Sequence, residues 1–152
     1  MGSSSKTADL DAPLHAIGFE IEEVSANRLT GRFKVTDQCC QVLHGGISAL
    51  VAEALGSIGA HIASGFNRIA GVQLSINHLS TAELGDEVVA EAKPVKVGKR
   101  IQLWEVNLWK LDPSAAGKKV LVASSRVTLL CNLPVPEHAK EAQEKLKMHA
   151  KL

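Results

Sequence analysis

The stretch HGGISALVAEALGSIGAHIAS, residues 44–64, decides the fold. From Ile47 to Ser64 it holds no proline and is rich in Ala, Leu and Ile, which predicts the one long helix of the chain. Ile47, Leu50, Val51, Leu55, Ile58 and Ile62 are spread around the whole helical wheel. A helix that is apolar on all sides belongs inside the protein. Against that background Glu53, Ser57 and His61 fall at i, i+4 and i+8 and form one narrow polar stripe. Glu53 is the only acidic or basic Asp, Glu, Lys or Arg residue between Asp37 and Arg68. A carboxylate there carries a desolvation penalty unless something hydrogen-bonds it, which makes it a candidate general base or nucleophile. The competing reading is a stripe that faces a solvated groove or a subunit partner.

Outward from this helix the pattern is extended. Phe19, Ile21 and Glu23 alternate with Glu20, Glu22 and Val24, and Leu29, Gly31, Phe33 and Val35 alternate with Arg28, Thr30, Arg32 and Lys34. These read as two strands of a hairpin joined through Ala26-Asn27. After the helix come four extended segments, 69–81, 87–97, 100–111 and 119–131, separated by Leu84-Gly85-Asp86, Val97-Gly98-Lys99 and Asp112-Pro113-Ser114 through Gly117. The order is β-β-α-β-β-β-β, with consecutive strands expected as antiparallel neighbours. One helix cannot cover both faces of six strands. Ile101, Leu103 and Trp109 are apolar on one parity, and Trp104, Val106 and Leu108 on the other, so another subunit is expected over part of the second face.

The chain divides into a flexible arm over 1–11, a domain over 12–133 and a polar tail helix over 134–152. Its 152 residues suit one domain, and 17 basic against 16 acidic residues give a net charge of +1. With three Phe, two Trp and no Tyr, that balance argues against nucleic acid as a partner. The stretch 38–67 is interrupted by Glu53 and rich in Gly, so membrane insertion is not expected. Three Cys without a C-x-x-C pair predict neither a disulfide framework nor a zinc site. The six His have no metal-ligand spacing, so no metal is expected. The chain ends Ala150-Lys151-Leu152, a small-basic-leucine tripeptide like the Ser-Lys-Leu address that peroxisomal import receptors read. A peroxisomal location is the corresponding expectation.

At the helix start, His44-Gly45-Gly46 offers unpaired N–H groups that a ligand oxygen can approach closely, in outline an oxyanion hole. The plainer reading is a flexible loop leading into the helix. Eight residues separate Gly45 from Glu53, about 12 Å along a helix, too far for both to touch one reacting carbon. If both act, they act from different subunits. A thiolate pair of Cys39 or Cys40 with His44 is a rival without an orienting acid. Trp104 and Trp109 read as core or interface anchors, His61 as packing near the helix end, and His15, His138 and His149 as surface residues without a role.

Gln38, His44-Gly45-Gly46, Glu53 and Ser57, followed by Val72-Gln73-Leu74-Ser75-Ile76-Asn77-His78 and the Val97-Gly98-Lys99-Arg100 turn, together resemble the hotdog-fold acyl-CoA thioesterases. The similar branch holds the Arthrobacter-type 4-hydroxybenzoyl-CoA thioesterase and the 1,4-dihydroxy-2-naphthoyl-CoA thioesterases of menaquinone and phylloquinone synthesis. The resemblance covers roughly residues 18–131. It implies an α+β hotdog fold, a central helix wrapped by a six-stranded, mainly antiparallel sheet, in a dimer or tetramer. It implies Glu53 as nucleophile or base, and the Gly45 N–H and Gln38 amide as oxyanion donors. Ser57 would orient the carboxylate or the water, and His44 would fix the loop or meet the carbonyl. Gly46, Gln73 and His78 would line the substrate, and Gly98, Lys99 and Arg100 would meet CoA. Aromatic acyl-CoA hydrolysis is the implied activity, dihydroxynaphthoyl-CoA the foremost substrate, and no cofactor is implied. Other aryl- or fatty acyl-CoAs, or a CoA-ester binding module without turnover, are the alternatives.

Overall fold

A computed structural model describes residues 5–39 and 41–151, with Cys39 described by its backbone alone. Cys40 and Leu152, which figure in the readings above, lie outside the described residues. The strands are β1 (Glu20–Val24), β2 (Leu29–Lys34), β3 (Arg68–His78), β4 (Glu87–Val97), β5 (Ile101–Leu111) and β6 (Lys119–Leu133). The helices are α1 (Lys6–Leu10), α2 (Ala12–Ala16), α3 (Gly45–Ala63) and α4 (Lys140–His149). The six strands form one antiparallel sheet in the order β1-β2-β4-β5-β6-β3, and α3 packs against it, the hotdog arrangement.

Consecutive strands are antiparallel neighbours as expected in β1-β2, β4-β5 and β5-β6, and β3 is the exception. Helix α3 carries the chain from β2 across the sheet, so β3 enters at the far edge beside β6, and β4 returns to pair with β2. A second correction lies in β1. The simple alternation breaks at a register shift between Ile21 and Glu23, where a bulge reverses the parity. Phe19 and Ile21 are buried before it and Val24 after it.

Helix α3 starts where the His44 Nδ1 accepts from the Gly46 N–H at 2.9 Å, and ends before Gly65, whose φ of +73° no β-carbon favours. It is long and apolar enough to cross a bilayer, but 56% of its apolar window is buried inside the domain. Of the β5 residues, Trp104, Val106 and Leu108 face this helix, fully buried, while Leu103 and Trp109 on the other parity are half-buried and Ile101 is exposed. Trp104 is therefore a core residue. Its indole N–H donates to Gln102 Oε1 at 2.8 Å, and Gln102 Nε2 donates to the Ala60 carbonyl at 3.3 Å, so a buried amide ties sheet to helix with its polar atoms paired.

The ends of the chain differ from expectation. Residues 6–10 of the expected flexible arm are helical, and Thr7 is buried with its Oγ1 accepting from the Ile21 N–H at 2.8 Å. The tail helix forms as expected, including the Glu141–Lys145 ion pair at 3.1 Å, yet it is not fully exposed, because Leu146 is buried. His149, expected to be a surface residue without a role, pairs with Asp9 at 3.0 Å.

Two glycines of α3 separate helix propensity from packing. Ala in place of Gly inside a helix gains about 1 kcal/mol of propensity. At Gly59 an added Cβ would stand 2.5 Å from the Trp104 ring and 2.9 Å from Leu29, an overpacking that costs about 1–3 kcal/mol. At Gly56 the nearest atoms are those of Val127 at 3.2 Å, which need give only slightly. Urea unfolding is expected to show Gly59→Ala destabilised and Gly56→Ala neutral or stabilised; the opposite ranking contradicts this packing.

Candidate active site

The residues singled out in the sequence fall into two groups along α3. At its N-terminus the His44 ring occupies the Gly46 N–H, and the Gly45 N–H has no acceptor among the described residues. The His78 ring, brought by the end of β3, lies against Gly45 so closely that a Cβ there would stand 2.9 Å from Cε1 and 3.0 Å from Nε2. Glycine at 45 thus admits the imidazole beside a free N–H at the positive end of a 19-residue helix. Gly46 has its N–H committed to His44, so it serves this loop rather than offering a second free donor.

Two turns further on, Glu53 is half-buried, and Ser57 Oγ donates to its Oε1 at 3.4 Å. The carboxylate lies against the backbone of β3 at Gly71, where a Cβ would stand 2.4 Å from Oε1. Gly71 was missed in the sequence; a glycine inside a strand, which marks close approach by another group, was the available signal. One turn beyond Ser57, His61 Nδ1 lies 3.1 Å from the Ser57 carbonyl. A carbonyl oxygen only accepts, so Nδ1 carries the hydrogen and the Nε2 lone pair is left for another donor. Burial holds the His61 imidazole below its usual pKa, against a weaker upward pull from that hydrogen bond.

The stripe Glu53-Ser57-His61 leads into a cavity of about 240 Å³, lined on the α3 side by Ala54, Ser57, Ile58 and His61 and beyond the helix end by Phe66 and Arg68. Mostly apolar walls with a few convergent polar groups are the usual makeup of a small-molecule site. The remaining residues lie elsewhere. Gln38 is exposed on a short 3-10 turn, beside a recess lined by Ile17, Gly18, Lys34, Thr36 and Asp37, without Glu53. Gln73 is exposed on β3 opposite Thr128.

Gly98, Lys99 and Arg100 form the turn between β4 and β5, closed by Gly98 N–H to the Ile101 carbonyl at 2.9 Å and clasped by Asn132, whose amide donates to the Lys99 carbonyl. Register places this turn in line with Gly71 of β3. Gln102 pairs with Leu129, and Leu129 with Gly71, so the turn lies about two strand spacings, some 10 Å, from β3 where Glu53 packs against it. Both cations are exposed. Among the described residues no group of three His, Cys, Asp or Glu could hold a metal. Buried Cys131, its thiol pushed up chiefly by desolvation, lies at the far end of β6 and has no part in the stripe.

The thioesterase superfamily profile matches residues 41–116, half of the chain. The chain is 54% identical over 142 residues to 1,4-dihydroxy-2-naphthoyl-CoA thioesterase 2 of Arabidopsis thaliana, covering 91% of this chain and 90% of that protein. It is 34% identical over 96 residues to 1,4-dihydroxy-2-naphthoyl-CoA hydrolase of Listeria monocytogenes, covering 60% of this chain and 77% of the relative. A crystal structure of a thioesterase from Haemophilus influenzae superposes with a TM-score of 0.71 at 22% identity, over 91% of this chain and 96% of that one.

The His61 environment gives a signed pH dependence. Its folded pKa lies below the 6.5 of the free side chain, so between those two values the unfolded chain binds more protons. This contribution to stability is complete above about pH 6.5 and is lost as the pH falls through the folded value. Urea midpoints between pH 7.5 and 5 are expected to fall less steeply for His61→Gln than for the unsubstituted protein; identical slopes contradict the assignment.

Proposed function

This chain belongs to the thioesterase superfamily and is an acyl-CoA thioester hydrolase, and we propose that its substrate is 1,4-dihydroxy-2-naphthoyl-CoA, released as 1,4-dihydroxy-2-naphthoate and free CoA. The substrate rests on the 54% identity with the Arabidopsis enzyme, and the bacterial hydrolases that share the substrate in their names support it. The observation that carries the chemistry is the isolated Glu53 carboxylate, fitted against Gly71 and hydrogen-bonded by Ser57, which itself lines a mainly apolar cavity.

The reaction needs a lone pair directed at the thioester carbonyl carbon and donors for the oxygen that becomes negative. Glu53 supplies the first, by direct attack or by taking a proton from water; by either route water provides the new oxygen of the acid and the sulfur leaves as the CoA thiol. The Gly45 N–H, at the positive end of α3, supplies the second with the Gln38 amide, and His44 and His78 fix that loop from either side. Gly46 and Gln73 line the approach. Lys99 and Arg100, on the Gly98 turn, meet the CoA phosphates. Water and these side chains suffice, without a cofactor.

Gly45 and Glu53 stand about 12 Å apart along one helix, so each catalytic centre combines the Glu53 of one copy with the Gly45 of another. The edge strand β3 supports this dimer, since Val72 is 59% exposed and one side of its backbone has no strand partner among the described residues. The half-buried outer parity of β5 supports a further pairing of dimers into a tetramer. The terminal tripeptide supports recognition by a peroxisomal import receptor, a peroxisomal location and a place in phylloquinone synthesis.

Thiol release across dihydroxynaphthoyl-, hydroxybenzoyl-, benzoyl- and fatty acyl-CoA tests the substrate. Preference for the dihydroxynaphthoyl ester, by at least tenfold in kcat/KM, is expected. Preference for another ester transfers the function to that substrate, and ligand binding without any turnover contradicts the enzyme.

A further inference from the structure

The cavity beside Ser57 has an outer wall that the catalytic stripe does not explain. It is built from the two ends of the chain: Asp9, Leu10 and Asp11 around the end of α1, and Ala139, Ala142 and Leu146 at and along α4. Several interactions clamp these ends in place. Leu146 is buried, Gln143 Nε2 donates to the Phe66 carbonyl at 2.8 Å, and His149 Nε2 pairs with Asp9 Oδ2 at 3.0 Å. Past the helix, the Lys151 N–H donates to the Val24 carbonyl at 2.8 Å, and Lys151 forms a parallel bridge with Ser25. A segment that is merely a surface tail has no need of separate ties to α1, to β1 and to the turn after α3.

We infer that α1 and α4 form the outer wall of the acyl-binding cavity, and that Ala142 and Ala139 set the largest acyl group it accepts. The inference rests on the thioester-hydrolase reading and names where the acyl part goes. Ser57 both hydrogen-bonds Glu53 and lines the cavity, so the opening lies one side chain from the carboxylate. From Glu53 to His61 the stripe runs about 12 Å, enough for a fused two-ring acyl group. The surface offered is the right kind for an aromatic ring bearing hydroxyls. Ile58, Phe66 and Leu146 supply apolar contact, and the neutral His61 presents Nε2 as an acceptor. The charged side chains of this cavity, Asp9, Asp11 and Arg68, give it no cluster of cations to hold the phosphates of CoA. The acyl group therefore enters here and the nucleotide stays outside. The small alanines leave the space open.

Ala142 is exposed on α4, so a larger side chain there can project over the cavity without displacing the core. The test is kcat and KM of the full-length protein for dihydroxynaphthoyl-CoA and for the smaller benzoyl-CoA, compared among the unsubstituted enzyme, Ala142→Phe and Ala139→Leu. The ratio of kcat/KM for the larger ester to that for the smaller is expected to fall at least tenfold in Ala142→Phe, mainly through KM, with Ala139→Leu moving it the same way. Ala139→Leu on the neighbouring 3-10 turn also gives the reading if Ala142→Phe does not fold. An unchanged ratio in the folded variants, with the unsubstituted enzyme active on both esters, overturns the wall and leaves the hydrolase reading intact. An unsubstituted protein that hydrolyses neither ester overturns both.

Discussion

A half-buried carboxylate on an otherwise apolar helix is the constraint that the rest of the molecule accommodates. Taking a charge out of water costs several kcal/mol unless neighbouring groups replace its hydration. Around Glu53 the Ser57 hydroxyl one turn away supplies a hydrogen bond, and Gly71 of β3 leaves the carboxylate room, since any Cβ there would collide with Oε1. The helix itself is held by burial of Val51, Ala52, Leu55, Ile58 and Ile62 against the sheet, and by the Trp104-Gln102-Ala60 relay of hydrogen bonds. Position of the carboxylate is therefore inherited from the most rigid part of the core. Such an arrangement suits the reacting role proposed for Glu53, since catalysis tolerates only small displacements.

The same helix geometry that fixes Glu53 also keeps it away from the helix start. One chain holds a carboxylate with its orienting hydroxyl, and about 12 Å off a free N–H with two histidines. On the proposed mechanism neither half completes acyl transfer alone. That proposal makes quaternary structure part of the chemistry, and the edge strand β3, which carries both Gly71 and His78, borders each of the two groups. The ends of the chain add a second layer by closing the cavity next to Ser57.

Much of this was legible because it followed from periodicity. The all-apolar wheel of residues 47–64 required a buried helix, and the i, i+4, i+8 spacing of Glu53, Ser57 and His61 required one polar stripe. Four of the strand segments were bounded by turn residues and fell within a few positions of the observed β3 to β6. What was illegible depended on contacts distant in sequence. The position of β3 beside β6 cannot be read from local pattern, since local pattern says nothing about which edge a strand joins after a long crossover. The bulge in β1 reversed parity without any Gly or Pro to announce it. Gly71 looked like one weak strand residue until the carboxylate of Glu53 was placed against it, and His149 looked idle because its partner, Asp9, is 140 residues away.

Central to all of this is the claim that the Glu53 carboxylate performs the hydrolysis and that its surroundings exist to hold it. Glu53→Gln removes the charge while keeping nearly the same shape and the capacity to accept from Ser57. The decisive measurement is its kcat for thioester hydrolysis beside its affinity for a CoA ester. A fall of about a thousandfold or more in kcat, with ester affinity and urea midpoint close to those of the unsubstituted protein, is the expected result. Turnover within a few-fold of the unsubstituted enzyme contradicts the account.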